Sequence, residues 1–140
     1  MNSKSAVATS NKWRENLPPN CPPKDAGPLT PRLLLRLTSS SSFTDDDFKS
    51  HAALGKPCLG AKLCEWSSCS MFLEGTSKAQ LDDLRKYPNL RSKNVVAFVK
   101  IDSASGEGKV STGRHVDFWM YRSFSPRDNI DSWVTVDDYK

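Results

Sequence analysis

Residues 94–101, NVVAFVKI, decide the fold. Four of the eight residues are β-branched, and past Asn94 the apolar run is broken only by Lys100. A run of this kind reads as a strand covered on both faces, near the centre of a sheet. Downstream, SASGEG (residues 103–108) reads as a turn, residues 109–112 as a short strand, and residues 115–124 as a longer one. In that longer strand Val116, Phe118 and Met120 fall on one face, with Asp117, Trp119 and Tyr121 on the other. Residues 132–136 suit a last edge strand.

Upstream, Ser77-x-x-Gln80 has the pattern of a capping box opening a helix to about Tyr87. Leu81, Leu84 and the stem of Arg85 give that helix a buried stripe, and Pro88 ends it. Residues 66–73, WSSCSMFL, read as a second strand, and residues 56–65 as an irregular connection. Thr44 is placed to cap a helix running to Gly55, with Asp45, Asp46 and Asp47 complementing its dipole and Phe48, Ala52 and His51 on one side. Residues 32–38, RLLLRLT, read as the first strand, followed by a serine loop at 39–42.

Strand, helix, strand, helix and then a run of strands is the order of an α+β domain. The expectation is a mostly antiparallel sheet of five or six strands with two helices packed on it. That domain spans residues 32–136. Ahead of it lie a disordered leader (1–16) and a Pro-rich arm (17–31) holding six of the nine prolines, which favour extended backbone. An acidic tail (137–140) follows.

Charge is unevenly distributed. From Arg85 to Arg127 nine Lys and Arg face three acids, a net of +6, whereas residues 128–140 carry four Asp and one Lys, a net of −3. This balance suits an anionic or protein partner, nucleic acid included, or a tail that folds back to screen the domain. The longest apolar run is Leu33-Leu34-Leu35, far short of a membrane span. With no secretory signal pattern and a modest cysteine content, Cys21, Cys58, Cys64 and Cys69 read as reduced thiols of a cytoplasmic protein.

Residues 113–127, GRHVDFWMYRSFSPR, gather four aromatics, three arginines and His115. Such composition suits stacking and phosphate binding as well as a half-buried strand. His115, Trp119, Tyr121 and Arg122 are therefore the candidate recognition surface, although alternation turns Arg122 away from Trp119 and Tyr121. His51, Cys58, Cys64 and Cys69 lack the tight spacing of a zinc knuckle, so no metal is expected. Cys69 or Ser67 with His115 and an Asp would compose a nucleophilic trio, but no G-x-S-x-G elbow marks one. Gly106-Glu107-Gly108-Lys109 lacks phosphate-loop spacing and suits a hairpin turn.

Between Thr44 and Trp119 the pieces TDDDFKSHAALGKPC, SSCSMF, LDDL-KYPNLRSKNVVAFV and GRHVDFW resemble, in order, a group of small uncharacterised bacterial proteins. More distantly, the chain is similar to the ADP-ribosyltransferase-like fold, including its RES-type branch. That resemblance implies an Arg on an early strand, matched by Arg36, and a small Ser-rich strand after a helix, matched by Ser67, Ser68 and Ser70. It further implies NAD, with Arg36 holding the pyrophosphate and the serines admitting the ribose. Its late-strand catalytic Glu has no clear counterpart, since Glu107 falls in the expected turn and Asp117 is a poor substitute. The leading expectation is a small intracellular binding or regulatory module without a cofactor. An NAD-using enzyme centred on Arg36, Ser68 and Ser70 is the alternative.

Overall fold

Strand β2 (Arg32–Thr38) takes the span its sequence announces and becomes the strip against which the rest is laid. The structure is a computed structural model that describes residues 12–58 and 62–140. The other strands are β1 (Gly27–Pro28), β3 (Cys69–Leu73), β4 (Val95–Ile101), β5 (Gly106–Val110), β6 (His115–Met120) and β7 (Ile130–Thr135). They form one antiparallel sheet in the order β1-β5-β6-β3-β2-β4-β7. The expected α+β class holds, with seven strands in place of five or six. The additional strands include β1, a two-residue edge strand drawn from the Pro-rich arm. A proline is tolerated there because an edge position does not require its amide.

Two helices accompany the sheet, α1 (Leu63–Trp66) and α2 (Lys78–Leu84). For α2 the sequence signals act as read. Ser77 Oγ accepts from the Gln80 amide at 3.1 Å, and Leu81 is fully buried. The Gln80 side chain, however, donates to the Gly113 carbonyl and does not close the box.

Three expected elements are corrected. The helix from Thr44 to Gly55 stops after one 3-10 turn, Asp45–Phe48, and Lys49 is already extended. Arg36 explains the stop, because its Nε and Nη2 donate to the carbonyls of Asp47 (2.8 Å) and Lys49 (3.4 Å), which a longer helix would need for its own amides. The expected strand at 66–73 begins only at Cys69. Ser67 Oγ donates to Leu63 O at 3.0 Å and Ser68 Oγ to Glu65 O at 2.7 Å, folding the preceding residues into α1. The Gly106-Glu107-Gly108 turn lies inside β5. A Cβ on Gly106 would sit 2.2 Å from the Trp119 carbonyl oxygen, so glycine lets β5 approach β6.

The sheet buries both faces. One carries Leu34, Met71, Val99, Val116 and Phe118 under Phe48 and Phe124. The other carries Leu35, Leu37, Phe72 and Val96 under Leu81, Val136 and Tyr139. The acidic tail is therefore docked, with Tyr139 buried and its hydroxyl donating to Thr76 O. Lys12 to Asn16, expected in the leader, are also placed. Trp13 is buried and bridges Tyr121, and Glu15 accepts from the Ser50 amide (3.0 Å) and hydroxyl (2.5 Å). The rest of the expected leader, residues 1–11, lies outside the described residues.

The reading of four reduced thiols is corrected as well. Cys21 of the arm is disulfide-bonded to Cys64 of α1, their Cα atoms 5.4 Å apart. Cys69 remains a buried thiol. Among the described residues no helix is long and apolar enough to cross a membrane.

Candidate functional site

Ser70, the second residue of β3, joins two polar clusters. Strands β2 and β3 pair only at Leu34–Leu73 and Leu35–Phe72, then separate. Arg36 fills the gap, its Nη1 donating to the Ser70 carbonyl at 2.7 Å. With Asp47 O and Lys49 O also taken, the guanidinium is committed to three backbone carbonyls. The register of β2, β3 and β6 puts Leu35, Phe72, His115, Ser70 and Asp117 on one face, and alternation puts the Arg36 side chain on the other.

The Ser70 hydroxyl meets His115 Nε2. On the other side of that ring, Nδ1 lies 3.5 Å from Asp117 Oδ1 and 3.4 Å from Ser111 Oγ. Ser68 Oγ reaches Asp117 Oδ1 at 3.3 Å, and the Phe72 ring stands edge-on to His115 at 5.3 Å. The His115 side chain is 28% exposed and that of Asp117 only 12%. Burial pushes the Asp117 carboxyl above the usual range and Glu65 adds to this. His115, the Ser68 hydroxyl and Lys109 oppose it.

Arg36, Ser68, Ser70 and His115 are thus brought into one network, linked through Ser70 and Asp117. Of the expected aromatic and basic surface, Trp119 is withdrawn into the core. Trp119 is 1% exposed, with Nε1 donating to Cys64 O at 3.1 Å. The Tyr121 ring packs against Trp13 at 5.1 Å, and the Arg122 amide donates to Lys12 O at 2.9 Å. Neither nucleophile considered from sequence meets His115. Cys69 lies in the core on the opposite face, and Ser67 Oγ is bonded to Leu63 O. Sequence reasoning passed over Ser70 for this role, and over Asp117 as its third member. The i, i+2 spacing of His115 and Asp117 on an alternating strand was the available signal.

A second group of residues surrounds Arg36. His51 stacks on Trp66 at 4.4 Å, and its Nδ1 is buried without a hydrogen-bond partner among the described residues. Burial, then Lys56, Arg36 and Lys93, hold the His51 imidazole below its ordinary range. Lys93 is likewise lowered by burial and then by Arg36, with Asp47 opposing and Lys56 adding. Among the described residues, neither Arg36, Lys56 nor Lys93 makes an ion pair. No group of three or more His, Cys, Asp or Glu among the described residues is placed to hold a metal. In particular, Cys64 is bound to Cys21 and Cys69 is in the core.

No family model, curated protein or solved structure matches the chain.

Proposed function

We propose that the protein is a small binding module for an anionic partner, engaged at the corner formed by His51, Lys56 and Lys93, with Arg36 behind it contributing charge while its donors stay on backbone carbonyls. The observation that carries this reading is a group of cations that form no ion pair among the described residues, with Asp47 offsetting only part of their mutual repulsion, beside a His51 Nδ1 that is buried without a hydrogen-bond partner. Like charges held together in a half-buried corner destabilise one another, and a bound anion reverses that penalty. A phosphate-bearing partner suits the site because its oxygens accept from ammonium groups and an imidazolium together.

This corner is preferred to the expected basic surface on β6 because Trp119 is in the core and the half-buried Tyr121 packs its ring against Trp13. The NAD-using alternative draws little support from the contacts of Arg36. Its donors are taken by carbonyls, and its side chain and the Ser70 hydroxyl occupy opposite faces. The Cys21–Cys64 bond favours an oxidising compartment over the expected cytoplasm.

The test is a titration with inorganic triphosphate and with single-stranded DNA, followed by tryptophan fluorescence, since Trp66 stacks on His51. Saturable quenching at low salt that weakens steeply at physiological salt is expected, with the response lost in Lys93→Glu. A flat titration at low salt, or a response that Lys93→Glu leaves intact, overturns the reading.

A further inference from the structure

The cluster on the other side of Ser70 has a chemistry of its own. We propose that Ser70 is an activated nucleophile for acyl transfer from esters, with His115 as its general base and Asp117 as the group that orients His115. The proposal is independent of the cationic corner.

The atoms are in the required order. Ser70 Oγ is in hydrogen-bond contact with His115 Nε2, and the proposed role takes the tautomer with its proton on Nδ1, in which Nε2 accepts from the hydroxyl. Nδ1 faces Asp117 Oδ1 at 3.5 Å, with Ser111 Oγ at 3.4 Å as a second neighbour. Hydroxyl, imidazole and carboxylate in that sequence are recognised by geometry and role, on any fold. Each group is held separately. The Ser70 backbone is fixed by Arg36 and by pairing with Asp117 of β6, the His115 ring stands against the edge of Phe72, and the Asp117 backbone is held by the same β3–β6 pairing.

A satisfied polar patch on a sheet would not need this burial. Asp117 is largely withdrawn from water at a cost to its ionised form, while His115 keeps an open side. An inaccessible orienting carboxylate beside an accessible base is what the chemistry needs. Ser70 sits within a strand, so no elbow motif announces it.

The step balances without metal or redox partner. Ser70 Oγ forms a bond to the ester carbonyl carbon as its proton passes to His115 Nε2. The carbon–oxygen bond to the alcohol then breaks, and the departing oxygen takes that proton. Water attacks the acyl-serine with His115 again as base, releasing the carboxylic acid and restoring the hydroxyl.

The experiment treats the intact, oxidised protein with a neutral fluorophosphonate probe, in which an Oγ–phosphorus bond forms as fluoride leaves. Mass mapping of the wild-type adduct is expected to place it on Ser70. Ser70→Ala should abolish labelling, His115→Ala should slow it about 100-fold, and Asp117→Asn about tenfold or more. Added imidazole should restore labelling of His115→Ala, which a structural role for His115 would not produce. Ser123→Ala, at an exposed serine outside the cluster, should label like wild type. No labelling of the wild-type protein overturns the proposal. So does an adduct mapped to another residue, a rate unchanged in a folded His115→Ala, or a slowed rate that imidazole leaves unrestored.

Discussion

Arg36 Nη1 donates to the Ser70 carbonyl oxygen at 2.7 Å, across the point where β2 and β3 part. One side chain thereby does the work of the missing ladder and also stops the 3-10 turn at Phe48. Replacing it with methionine keeps a stem of similar shape and leaves three carbonyls without their donor. Hydrogen bonds from a charged donor contribute about 1.5–3 kcal/mol each, and part of that is regained from water at this half-buried site. Urea unfolding of Arg36→Met is expected to show a loss of about 3 kcal/mol, with Arg36→Lys intermediate. A loss below about 0.5 kcal/mol would mean the three contacts do not hold β2 and β3 in place.

Trp119 gives a test of core against display. A displayed tryptophan can be truncated with little effect on folding, whereas this one is 1% exposed and bonds to Cys64 O. Trp119→Phe is expected to lose about 1–2 kcal/mol with the hydrogen bond, and Trp119→Ala about 3–5 kcal/mol with the cavity. Thermal and denaturant melts measure both. Wild-type stability in Trp119→Ala would return the residue to the surface.

These residues also show how far the sequence carries. Periodicity and propensity sufficed for β2, β4 and α2, because each is bounded by its own local signals and buries the side chains that define it. They failed where tertiary contacts outweigh local preference. The acids at 45–47 announce a helix, but Arg36, eleven residues before Asp47, takes the carbonyls that would extend it. Trp119 and Tyr121 read as surface aromatics because alternation names a face and is silent on what covers it. Trp13 and the carbonyl of Cys64 lie 108 and 55 residues away from their respective partners. His115 was singled out from the sequence as a candidate. Ser70 as its partner required the register of β3 against β6, which no local pattern encodes.

The arm is bound to the domain by covalent chemistry, and this sets a third expectation. The Cys21–Cys64 bond spans 43 residues, a loop whose closure stabilises the folded state by about 4 kcal/mol on the chain-entropy scale. Unfolding with and without a thiol reductant, alongside Cys21→Ser, is expected to show a loss of about 2–4 kcal/mol in the reduced and mutant proteins. Superimposable curves under both conditions would show that the arm is held by the pairing of β1 with β5, by Leu29 and by the Asp25–Lys109 ion pair, without the disulfide.

Asp117 sets a pH dependence of definite sign. Its folded pKa is raised above the ordinary aspartate value of 3.8, with burial as the main cause and Glu65 assisting. The unfolded chain therefore releases this proton first. Between 3.8 and the higher folded value the native state binds more protons than the unfolded state, so stability falls as pH rises through that window. Below it the contribution is fully present, and above it the ionised, largely buried carboxylate is a standing penalty. Asp117→Asn removes the titration. The variant is expected to gain on the wild type as pH is raised through the window, in guanidinium melts taken at steps from about pH 3 to neutrality. His115 and Lys109 lower the same pKa and narrow the window without reversing its sign, because burial outweighs them. A stability difference between wild type and Asp117→Asn that stays constant over that range, or moves the other way, would show that the carboxyl is better solvated than its 12% exposure implies.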